Sequence, residues 1–318
     1  MMIEFAYLYR GLCALARCHQ ANAMAGHLGA TLVAAYLFGE DHAQLDDRVY
    51  QAIERDCQGI VRGDEAFWFD PEKAGITIGQ LFQPFPDEQP QEDRIDEIAV
   101  ALSRNIGQLR QSGHNVIFAS LAIRALRGHP QFAMPTIVTG IVQLIERFDG
   151  ERPGRAYFGN EKGWIEGEHL EVIEDAELPQ YSDLRAMAEA VVEELIQSGS
   201  IRRQGLGGLF HIINHAQALT ELDRLGYGEL ARAGMRAHHR HLCLWRSLPD
   251  LSAELGRLRA AKNDPLSVDY WNEAGPSQWS AHLSHRIKTL YGFFSLLRWI
   301  DAEDKRREAE KQFRYLMA

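Results

Sequence analysis

The chain has 318 residues, of which 46% are hydrophobic, and a formal net charge of −10. That length and apolar content suffice for a large core, read here as a single large helical domain over residues 1–318 with lid-like insertions at about 63–91 and 149–169. The acid excess argues against a nucleic-acid partner, because the one basic run, Lys305-Arg306-Arg307, is followed at once by Glu308 and Glu310 and reads as a solvated helix face.

In chain order, the first segment to about Ala16 places Tyr7, Leu12, Leu15 and Ala16 on one side, with Glu4 and Arg10 in its pattern. It reads as an amphipathic helix and not as a signal peptide. Ala21 to Phe38 just reaches membrane-spanning length. Its small residues Ala23, Ala25, Gly26, Gly29 and Ala30 fit close helix packing better, so no membrane partner is expected. Asp46 to Val61 opens on acidic residues, as a helix start should. A long amphipathic helix is predicted over 92–112, stopped by Gly113, and a strongly apolar one over 114–126. Pro135 suits the first turn of a helix to Phe148. Further helices fit 182–198, 208–224, 228–244, 249–261, 277–301 and 302–316. Thr77-Ile78 and Leu170 to Ile173 are the only candidate strands.

Helices 24–37 and 114–126 are apolar on nearly every side, whereas 46–61, 92–112, 182–198 and 249–261 keep a polar face. A helix without a polar face must be surrounded by protein. The expected fold is therefore all-α: a two-layer α/α toroid-like arrangement or an irregular helical bundle around a central cavity. The loops at 63–91 and 149–169 carry the aromatics Phe67, Trp68, Phe69, Tyr157, Phe158 and Trp164, which suit either a lid or a cap on the bundle. Cys13, Cys18, Cys57 and Cys243 contain no C-x-x-C pair and fit buried thiols in a reducing, cytoplasmic setting.

Histidines mark the candidate site. Ala25-Gly26-His27, Ser112-Gly113-His114, Ile213-Asn214-His215 and Ser280-Ala281-His282 each place a histidine beside small or polar residues in an apolar helix. Helical projection puts His114 amid Ile117, Phe118 and Leu121, and His27 with Thr31, Ala34 and Phe38. His27, His114, His215 and His282 are the candidate acid–base groups. Trp68, Tyr157, Trp164 and Phe118 are candidate substrate contacts. His211-x-x-x-His215, with His285, has spacing suited to a metal ion. His238, His239 and His241 alternate with Arg236 and Arg240 and read as a solvated helix end. Glu166-x-x-His169 has di-iron spacing but lies in loop-like sequence. Gly205-Leu206-Gly207-Gly208 lacks the strand and Lys-Ser/Thr of a phosphate loop and serves either as a flexible helix start or as an anion-binding turn.

Residues 215–219 (His-Ala-Gln-Ala-Leu), preceded by Gly208-Leu209-Phe210-His211, resemble the questin oxidase-like family, as do Gly26-His27 to Leu37 and Ala281-His282 onward. The resemblance covers short segments only, and the loop holding Tyr157 and Trp164 has no counterpart. It implies an all-helical oxidoreductase that opens polycyclic aromatic rings by oxygenation with a nicotinamide reductant, with His27, His114, His215 and His282 lining the cavity. Three readings follow: an enzyme acting on a hydrophobic small molecule, a metal-dependent helical enzyme, and a non-enzymatic helical ligand- or protein-binding protein.

Overall fold

Polar side chains cap the starts of some of the helices. The Asp46 side chain accepts from the Arg48 amide, and Asp183 accepts from the Ala186 amide. Each satisfies a donor that the first turn leaves open. The computed structural model describes residues 2–170, 180–273, 277 and 281–318. Among these, fifteen α-helices and one two-stranded sheet are present, so the protein is mainly all-α. The helices are α1 (Phe5–Cys18), α2 (Gly26–Asp41), α3 (Asp47–Arg62), α4 (Pro71–Ala74), α5 (Ile78–Leu81), α6 (Ile95–Ser103), α7 (His114–Gly128) and α8 (Pro135–Glu146). There follow α9 (Leu184–Ser198), α10 (Leu209–Arg224), α11 (Gly228–Arg246), α12 (Ser252–Leu255), α13 (Val268–Asn272), α14 (His282–Leu297) and α15 (Glu303–Phe313). Strands β1 (Arg155–Tyr157) and β2 (Trp164–Glu166) pair antiparallel, with Ala156 opposite Ile165.

The packing centres on four helices. α2 contacts α7 and α14, and α10 contacts the same two, which closes a ring. α2 from Gly26 to Gly39, α7 from His114 to Leu126 and α10 from Leu209 to Leu222 are buried on every side. The remaining helices cover this ring: α1 lies on α2, α3 on α2 and α14, α6 on α7, and α9 and α11 on α10. One apolar cluster runs through the whole, from Ile3 to Met317. Burying a leucine such as Leu28, Leu32 or Leu219 contributes about 1.5–3 kcal/mol. No helix among the described residues is long and apolar enough to cross a membrane. The four cysteines are buried and form no disulfide.

Several elements depart from the sequence expectation. The helix predicted over 92–112 ends at Ser103. Past it the Asn105 amide donates to the Ile145 carbonyl and the Asp149 carboxylate, which turns the chain out of the helix. The segment 249–261 keeps only α12, since Gly256 follows in a left-handed conformation (φ 79°). Thr77-Ile78 is no strand: Thr77 and Gln80 form a reciprocal capping box that starts α5. The 63–91 stretch therefore contains two short helices. Leu170 lies outside any strand, and residues 171–173 lie outside the described residues. The helix expected from 277 begins at His282, with 278–280 likewise outside them.

Candidate functional site

The four central helices start at one place, and each brings a histidine in its first turn: His27 on α2, His114 on α7, His211 on α10 and His285 on α14. Their rings follow one another at centroid distances of 4.5 Å (His27–His114), 4.6 Å (His114–His211), 5.0 Å (His211–His285) and 5.1 Å (His285–His27).

Unusual backbone delivers these rings. Gln111 and Ser112 have φ of 40° and 58° just before His114, and Leu206 has φ of 50° just before α10. Ala281, before α14, has φ of 54°. Non-glycine residues held there cost of order 1–3 kcal/mol each, so the surroundings must impose the shape. The hairpin segment does so. Gln111 and Ser112 donate to the carbonyls of Arg152 and Pro153, at 2.7 and 2.9 Å. Leu206 donates to Arg155, and Tyr157 to Gln204, at 2.8 and 2.9 Å. Gly207 must be glycine, for its φ is 72° and a Cβ would stand 2.5 Å from the His211 ring. The 149–169 region thus clamps both loops that aim histidines, a scaffold role besides any lid role.

The tautomers follow from the partners. His27 Nδ1 lies 2.8 Å from the Met24 carbonyl, and His114 and His211 Nδ1 meet the carbonyls of Gln111 and Gly207. A carbonyl only accepts, so each Nδ1 carries the proton and each Nε2 presents a bare lone pair. Those lone pairs face one another: His114 Nε2 is 3.0 Å from His27 Nε2 and 3.0 Å from His211 Nε2. The three potential ligand atoms all lie within 4.8 Å of one another. Burial pushes all three imidazoles down in pKa, His114 to about 3, and neighbouring positive charge adds to this for His27 and His211. They are neutral at physiological pH, the form that binds metal.

The rings open into a cavity of about 520 Å³. Its floor is His27, His114, His211 and His285, and Trp68 stacks on His27 at 4.1 Å. Exposed Arg155, Trp164 and Gln204 mark its mouth. The residues expected from the sequence divide around it. His27, His114, His211, His285, Trp68 and Trp164 come together. Phe118 is buried behind His27 and His114, at 5.6 and 5.3 Å, outside the cavity wall. Tyr157 turns to Glu254, donating to its carboxylate at 2.7 Å. His215 lies one turn below His211, away from the cavity, beside His238 and His241 at 5.0 and 5.8 Å. His282 lines a separate pocket with Tyr270 and Arg286. In α10 and α14 the helix start selects the histidine one turn from the one the pattern favoured. His238 and His241 are not a solvated end. Both are 0% exposed, because their shared face of α11 packs on α10, and only His239 of the three is partly exposed. Glu166 sits on β2, and His169 is largely exposed beside Glu168, so the pair forms no buried carboxylate centre.

Two groups carried no sequence signal. Lys288, one turn beyond His285, is buried, its amine finds no hydrogen-bond partner among the described residues, and burial lowers its pKa to about 7. Glu65 is buried too and accepts from the amides of Leu283 and Ser284 at the start of α14. Glu65 follows Asp64 at the start of a loop and Lys288 follows Arg286 in α14, so by sequence each reads as one more charged residue near another. No family model, no curated protein and no solved structure matches the chain.

Proposed function

We propose that this protein is a metal-dependent enzyme acting on a small molecule in the cavity, with His27, His114 and His211 holding the ion. The observation that carries this reading is the tautomer pattern. Three buried Nε2 lone pairs converge while every Nδ1 proton is spent on a backbone carbonyl. Bare lone pairs 3.0 Å apart repel, and a cation between them turns that repulsion into ligation. The carbonyl contacts are the outer support that metal-bound imidazoles use to fix orientation. Three neutral imidazoles suit zinc, iron, copper or nickel, with an open position toward the cavity. Such an ion supplies Lewis acidity or an activated water. Trp68 offers an aromatic face beside it, stacked on His27. The resemblance to the questin oxidase-like family adds oxygenation of an aromatic ring with a nicotinamide reductant as the reaction class to assay first.

Elemental analysis of the purified full-length chain tests the proposal. About one equivalent of a transition metal is expected, and its loss in His114→Ala. Protein that holds no metal as purified and takes up none from zinc, iron(II) or copper solutions would sink it.

Lys288 favours a second reading, a metal-free acid–base enzyme. An amine that titrates near neutrality, one turn from His285, is suited to proton transfer. That reading expects turnover by metal-free protein, with a pH profile that Lys288→Met abolishes.

A further inference from the structure

The cavity wall carries an unexpected charge. In a chain of net charge −10, the described residues lining it include Arg155, Arg202 and Arg203 and no aspartate or glutamate. Arg203 is paired with Glu194 at 3.2 Å, yet its Nε is buried without a hydrogen-bond partner. Among the described residues the Arg202 guanidinium makes one long hydrogen bond, to the Gly256 carbonyl at 3.5 Å. The Arg155 guanidinium lies 4.5 Å over the Trp164 ring at the mouth. Neither Arg155 nor Arg202 takes part in an ion pair among the described residues, whereas Arg124 and Arg286 are each held by a carboxylate. The starts of α2, α7 and α10 add further positive potential at the floor, whereas the start of α14 is already held by the Glu65 carboxylate.

Uncompensated guanidiniums beside a cavity attract anions, and their planar fork suits carboxylate. Trp68, Trp164 and Phe210 supply aromatic wall between floor and mouth. A cavity of about 520 Å³ is of the size that takes a ligand of two or three rings. We infer that the cavity selects a planar aromatic carboxylate, its carboxylate held by Arg155 and Arg202 near the mouth and its rings directed toward the histidines. The inference rests on the functional reading above for what happens at the histidines, but not for binding.

The test uses 2-naphthoate and its uncharged methyl ester as probes, with tryptophan fluorescence and calorimetry on the full chain at low salt. The acid should bind at least about tenfold more tightly than the ester, as charge-assisted contacts require. Arg202→Gln and Arg155→Gln should each weaken the acid by about fivefold or more and leave the ester unchanged. Both positions are solvent-accessible, so circular dichroism should show an unaltered fold. His114→Ala, which removes a proposed metal ligand, should retain the preference for the acid. Protein that neither holds nor takes up a transition metal yet still prefers the acid would end the metal reading and support this one. Equal binding of acid and ester, binding of neither, or loss of the preference in His114→Ala with both arginine variants unaffected would overturn it.

Discussion

Two histidine clusters stand back to back on α10, and they use opposite nitrogens. On the cavity side, His27, His114 and His211 give their Nδ1 protons to carbonyls on the turns just before them and leave Nε2 bare. On the far side, His238 Nε2 meets the Ile212 carbonyl at 3.1 Å and His241 Nε2 meets the Leu206 carbonyl at 2.8 Å, so the outer nitrogen holds the proton. His238 Nδ1 then accepts from the Tyr181 hydroxyl. The far cluster ties α11 to α10 and to the 205–208 loop. The near cluster spends its bonds on its own turns and leaves its reactive edge outward. Three buried histidines stand in each place; what separates the two clusters is which nitrogen the backbone claims.

Acid should break both clusters, with the largest effect. Burial lowers His27, His211 and His215 well below their ordinary value, His114 and His238 to about 3, and His241 and His282 to about 4. In the unfolded chain these groups titrate near 6.5. The stability they contribute is complete above that pH and is lost as pH falls toward their folded values. At pH 5 each costs roughly 2 kcal/mol, and a few suffice to offset a typical folding free energy. Circular dichroism should therefore show cooperative unfolding between about pH 6 and 4.5, and added zinc should shift the midpoint down by protecting the near cluster alone. A flat signal to pH 4 would contradict the burial of these rings as neutral groups.

Next in size, His114→Ala should weaken zinc binding by about a hundredfold or more, whereas His241→Ala should change it less than about threefold. Competition with a chromophoric chelator measures both, and equal losses would erase the distinction between the clusters. His238→Ala should instead lower stability by about 2 kcal/mol, read by urea unfolding, because the Ile212 carbonyl and the Tyr181 hydroxyl lose a partner together. Metal content in that variant should not move. The smallest effect is expected from His282→Ala, which faces the pocket of Tyr270 and Arg286: no change in metal content and at most about 1 kcal/mol in stability. Loss of metal there would place His282 in the site after all.

Helical periodicity is local chemistry, so the sequence by itself determined the all-α class, the two helices apolar on every side, and the orientation of His27 and His114 toward the interior. The aromatic content of 63–91 pointed to Trp68, which does meet a histidine. Between His211 and His215, or His282 and His285, periodicity is silent. Residues one turn apart share a helix face, and only the level at which neighbouring helices begin separates them. That level is set by long-range contacts: residues 152–157 hold Gln111, Ser112 and Leu206 in conformations no local preference would select. The same applies to Arg155 and Arg202, polar loop residues by sequence that become a charged cavity wall once the hairpin docks on the 205–208 turn. Which nitrogen keeps its proton was decided by tertiary structure for His238 and His241, whose carbonyl partners lie on other elements; for His27, His114 and His211 the partner carbonyl lies only three or four residues back.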